Sequence, residues 1–68
     1  MNEYWKQFAQ SMIDHTRMHG TDWLLSEIRN GLARDLAQAA SLSYIREELE
    51  AWTYIVLEVS DDDDDGEP

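Results

Sequence analysis

A chain of 68 residues makes one domain at most, and a domain of that size buries only roughly 60% of the surface its unfolded form exposes. It holds no cysteine, which excludes disulfides and thiolate metal sites as reinforcement. Fifteen acids against five bases give a net charge of −10, which disfavours direct binding to nucleic-acid phosphate or to an anionic membrane.

The pattern predicts an all-α fold of three amphipathic helices at about 3–19, 22–40 and 44–59. In the first, Tyr4, Trp5, Phe8, Ala9, Met12 and Ile13 follow the i, i+3, i+4, i+7 spacing of one helical face. Asn2 is placed to cap its start, and Gly20 suits the residue that ends it. Thr21 and Asp22 give a second start signal. Leu25, Ile28, Leu32, Leu36 and Ala39 then follow at steps of three and four. Asn30-Gly31 could be read as a turn, but the apolar phase is the same on both sides, so one continuous helix is expected, with Gly31 off the stripe.

Ser41 and Ser43 are candidate caps for the third helix, whose expected buried stripe is Ile45, Leu49, Trp52, Val56 and Val59. Thr53 to Val59 is rich in β-branched and aromatic residues and would also suit a strand; no second segment offers that strand a partner, so helix is preferred. Links of one to three residues force sharp reversals. The three helices therefore form either a small antiparallel bundle or an open arrangement completed by a second copy as a helical dimer.

The charge is unevenly placed. Residues 1–46 carry equal numbers of acids and bases, whereas residues 47–68 carry ten acids and no base. The expected division is a single helical domain over 1–60 and a disordered acidic tail over 61–68, because five adjacent aspartates, Asp61, Asp62, Asp63, Asp64 and Asp65, repel one another. No stretch approaches the ~20 apolar residues of a membrane span, and the opening residues lack the pattern of a signal peptide. A cytoplasmic location follows as the expectation, in keeping with the absence of cysteine.

Few residues suggest chemistry. His15 and His19, four apart on a helix, are the only candidates for a metal, and weak ones. Glu47, Glu48, Glu50 and Glu58 read as a solvated helix face rather than as acid–base catalysts. No nucleophile–base pairing, phosphate-binding loop or cofactor motif is present. The expectation is a protein that is not an enzyme and takes no cofactor.

The aromatic load is heavy, with three Trp, three Tyr and one Phe. Trp23, Tyr54 and Leu57 fall off their stripes. On the third helix Tyr54 lies beside Glu47, Glu50 and Glu58, and aromatics exposed among charges are typical of interfaces. The partner-binding set expected from sequence is therefore Trp23, Glu47, Glu50, Tyr54, Leu57, Glu58 and Asp61 to Asp65.

The function expected is that of a small acidic binding module, an inhibitor occupying the basic, nucleic-acid-binding surface of another protein. A rigid nucleic-acid mimic would spread its acids over the folded body, so a hybrid is preferred in which aromatic anchors give specificity and the acids give steering. In size and acidity the chain resembles the small acidic proteins with which phages block host machinery, a likeness of class rather than of motif. The alternative is a homo-oligomeric structural or adaptor protein, most simply a homodimer, whose tail only keeps it in solution. A third reading is a metal protein built on His15 and His19.

Overall fold

A computed structural model describes residues 2–63, with side-chain surroundings for residues 2–60. Three helices follow one another: α1 (Glu3–His19), α2 (Thr21–Ala37) and α3 (Leu42–Asp63). No strand occurs among the described residues. The expected all-α bundle is observed, and Thr53 to Val59 is helical.

The turn chemistry explains the boundaries. Asn2 Oδ1 accepts the Trp5 N–H at 3.0 Å and caps α1. Gly20, at φ +100°, ends α1 by donating its N–H to the Thr16 carbonyl at 2.7 Å. The same glycine starts α2 with no side-chain cap, so Thr21 is already helical and only Asp22 acts as expected, in the first turn.

Gly31 lies within α2, as expected, but α2 ends at Ala37 and not at residue 40. Ala39 adopts φ +57°. Its neighbour Ala40 sends its N–H back to the Asp35 carbonyl at 2.9 Å, the six-to-one bond of a Schellman turn. Ser41 Oγ then accepts the Tyr44 N–H at 3.1 Å and opens α3. α3 begins at Leu42 rather than residue 44, and at its far end it passes the expected end at residue 59 and continues to Asp63. Extending a formed helix adds one hydrogen bond per residue and is easier than nucleating one. The rest of the expected tail, residues 64–68, lies outside the described residues.

α1 and α3 pack most closely and α2 and α3 least, with the first turns of α1 set against the first half of α3 through Trp5 with Glu47 and Phe8 with Trp52. Trp5, Ala9 and Ile13 of α1 are buried, as are Leu24 of α2 and Ala51, Trp52, Ile55 and Val59 of α3. Phe8, Met12, Trp23 and Ile28 pack around this core. The aromatic rings meet edge to face: Trp5 with Phe8 at 5.3 Å, Phe8 with Trp52 at 5.2 Å and Trp5 with Tyr44 at 5.5 Å, the geometry favoured by ring quadrupoles.

The buried faces of α2 and α3 are turned from those the spacing suggests. Leu49 and Val56 are exposed and Ile55 is fully buried. On α2, Leu24 is buried, whereas Leu25 and Leu36 are exposed, Leu36 at 73%. The expectation that Gly31 lies off the buried face is likewise overturned, since Gly31 is buried. Neighbouring helices approach where side chains are smallest. Buried Ala9 and Ala51 make room at the α1–α3 contact, and Gly31 makes room for Trp52.

Candidate functional site

The outer face of α3 gathers most of the residues expected to bind a partner. Steps of three and four at about 100° per residue put Glu47, Glu50, Tyr54 and Glu58 on one side of the helix, with Leu57 beside them. Tyr54 is 41% and Leu57 is 60% exposed. Glu58 is half-buried, and Glu47 and Glu50 are exposed. Glu47 is also tied to α1, its Oε1 accepting the Trp5 indole N–H at 3.0 Å. The backbone of residues 61–63 continues the same helix, while Asp64 and Asp65 lie outside the described residues.

Trp23 is not part of this face. It is half-buried at the α1–α2 contact, its ring 5.0 Å from that of His19 and 5.9 Å from that of His15. The two imidazoles lie face to face at 6.1 Å. His15 Nδ1 lies 2.7 Å from the Ser11 carbonyl oxygen, to which a protonated Nδ1 donates. Among the described residues no group of three or more His, Asp and Glu side chains is placed to hold a metal.

Sequence reasoning missed a buried carboxyl pair between α2 and α3. Glu48, read as part of the solvated face, is 5% exposed, and Asp35 is 8% exposed. Glu48 Oε2 accepts the Trp52 indole N–H at 2.8 Å. Glu48 Oε1 and Asp35 Oδ2 are cut off from water and have no hydrogen-bond partner. Two carboxylates offer each other no donor, whereas a proton on Glu48 supplies one. Burial pushes the Glu48 carboxyl above the usual glutamate range. The hydrogen bond with Asp35 and the Asp35 charge push it the same way, against the opposing pull of the Trp52 N–H and Arg34.

The pair lines a cleft of about 250 Å³ whose walls include five aromatic rings, Tyr4, Trp5, Phe8, Tyr44 and Trp52. Burial, followed by the charges of Tyr4, Glu48 and Asp35, raises the Tyr44 phenol above its ordinary value, so Tyr44 keeps its O–H as a donor. Asp35 and Tyr44 also line an adjoining hollow of about 420 Å³ with Gln38, Ala40 and Ser41. Comparison with family models, with curated proteins and with solved structures finds no match.

The local signal for this site lay in Gly31. A Cβ at that position would stand 3.0 Å from Glu48 Oε2 and 3.6 Å from Trp52 Cζ2, so α2 presents bare backbone to the carboxyl and the indole. A glycine held inside a helix marks such an approach, and Asp35 follows it one turn later on the same side.

The residues expected as core stripes form a second surface. Leu25 and Leu36 of α2 are exposed, and so are Leu42, Leu49 and Val56 of α3. By helical register both sets flank the α2–α3 contact on the side turned away from α1.

Proposed function

We propose that this chain is a non-enzymatic protein-binding module that occupies a basic surface of a partner protein, one that otherwise holds nucleic acid, and thereby inhibits it. The observation that supports this reading is the outer face of α3, where Tyr54 and Leu57 stand exposed among Glu47, Glu50 and Glu58. The aromatic and the leucine supply desolvated anchors. The acids of residues 47–68 other than buried Glu48 steer encounter with a positive patch.

The test is a binding measurement on a basic partner isolated with the full chain. Association slows as salt is raised, because exposed charges are screened over about 10 Å at 0.1 M. Nucleic acid competes for the partner. Tyr54→Ala speeds dissociation, because anchors act mainly on off-rate. Binding that ignores both salt and competing nucleic acid refutes the reading.

The exposed leucines of α2 and α3 favour a second reading, a homodimer that buries Leu25, Leu36, Leu49 and Val56 between two copies. Sedimentation at micromolar concentration then gives a dimer that Leu36→Glu converts to monomer. A monomer at that concentration rules it out.

A further inference from the structure

The cleft over the carboxyl pair has a composition that neither the outer face of α3 nor the leucine band explains. We propose that it is a receptor for an organic cation, the ammonium or guanidinium head of a lysine or arginine side chain presented by the basic partner, with Asp35 and Glu48 as its counter-charge. This rests on the function proposed above and assigns a place where one basic side chain would be held.

Three observations converge. The first is the unmet bonding of the pair. With both carboxyls ionised, Asp35 Oδ2 and Glu48 Oε1 are buried without partners, and a buried acceptor left unmade is costly. A proton on Glu48 relieves that cost at low pH, and a bound cation relieves it when both are charged. Arg34 lines the same cleft yet donates to neither of these oxygens. The terminal torsions of Asp and Glu are broad, so a small rotation brings either oxygen to the cleft.

The second observation is the wall. Tyr4, Trp5, Phe8, Tyr44 and Trp52 are among the residues that line the space, and aromatic faces attract cations through their quadrupole. A metal ion wants several oxygen ligands, and no group that could hold one occurs among the described residues. The third is size. About 250 Å³ falls below the 300–1,000 Å³ usual for whole small-molecule ligands and suits the end of a side chain.

The chemistry of loading is an exchange. The Glu48 carboxyl is raised in the empty pair, so whatever proton it carries leaves as the cation enters, and binding strengthens as pH rises. The groups facing the pair are Tyr4 of α1, Glu27 and Arg34 of α2, and Tyr44 of α3. Arg34 repels the incoming cation, while Glu27 favours it.

The experiment titrates the full chain with N-acetyl-lysine methylamide, with its neutral norleucine counterpart and with calcium, following the ring resonances by NMR. The lysine probe saturates at one site and shifts the rings of Trp5, Phe8, Tyr44 and Trp52. The norleucine probe binds about tenfold or more weakly, as expected for loss of a hydrogen bond to a charged group. The double variant Asp35→Asn, Glu48→Gln weakens the lysine probe by a similar factor while circular dichroism shows the helices retained. Arg34→Gln tightens it, a change that a merely structural role for the pair would not produce.

Equal binding of the two probes, preference for calcium, or no binding of the lysine probe at tens of millimolar each overturns the proposal. With partner in hand, displacement of the lysine probe supports the side-chain assignment. Lack of displacement refutes that assignment and makes a free amine the ligand. Salt-sensitive partner binding by a chain that takes up no lysine probe sinks this inference and leaves the proposed function intact.

Discussion

Glu48→Gln is expected to make the protein more stable, and more so in alkali than in acid. The glutamine oxygen can still accept the Trp52 N–H that Glu48 Oε2 now receives at 2.8 Å. Its amide N–H can donate to Asp35, whose Oδ2 has no partner. An unpartnered buried group costs about 1–3 kcal/mol, so filling the bond contributes about 2 kcal/mol when Glu48 is ionised. For a domain of this size that raises Tm by roughly 8–16 °C, at 4–8 °C per kcal/mol. The Glu48 carboxyl is raised in the folded chain, so the folded state keeps a proton that the unfolded state releases. Stability from that proton is full below the ordinary glutamate range and is lost as pH rises through the folded value, at no more than about 1.4 kcal/mol per pH unit. Wild type should therefore weaken toward alkaline pH by more than the variant does, and the two should converge in acid. Self-repulsion of a chain carrying −10 acts on both proteins in the same direction, so their difference isolates Glu48. Urea unfolding followed by circular dichroism from pH 4 to 9 makes the measurement. A variant less stable than wild type at every pH, or a difference constant across the range, refutes the reasoning.

Gly31→Ala sets a helix gain of about 1 kcal/mol against a Cβ 3.0 Å from Glu48 Oε2. Overpacking costs about 1–3 kcal/mol, so a net loss near 1 kcal/mol is expected in urea unfolding, and a gain would show that Glu48 and Trp52 move aside freely. Ala39→Gly relieves a left-handed alanine at φ +57° and should add about 1 kcal/mol; a loss of stability would remove the turn from its place. Ile55→Ala should cost about 2–5 kcal/mol and Val56→Ala less than about 1 kcal/mol, and thermal melts showing the reverse order would restore the register suggested by sequence spacing.

Local signals carried the helices. Asn2, Gly20 and Ser41 each act through atoms within four residues, so their roles can be read from neighbouring letters. The phase of α2 and α3 could not be read this way. Each helix has apolar residues on more than half its circumference, and which arc is buried depends on where Ala9, Ala51 and Gly31 let another helix approach. Glu48 and Asp35 were hidden for a related reason. Carboxylates are rarely buried unless paired, and the partner of each lies on the other helix, out of reach of any spacing rule. The outer face of α3 was legible, because Glu47, Glu50, Tyr54 and Glu58 share one helix and one side.

The closest packing in this molecule joins its first helix to its last, with Trp5 bonded to Glu47 across 42 positions of chain. Synthesis therefore offers no partial product worth keeping. A nascent chain that has made α1 and α2 has the narrow α1–α2 contact but neither the indole of Trp52 nor Ile55 to close the core. Helices in proteins draw most of their stability from packing of an apolar face, and the core that α1 and α2 pack on is supplied by α3, so folding is expected to engage all three helices together. Shortening the chain from its C-terminal end through Val59 and Ile55 should thus abolish the fold as a whole, where a chain built from neighbour-to-neighbour contacts would lose only its last element.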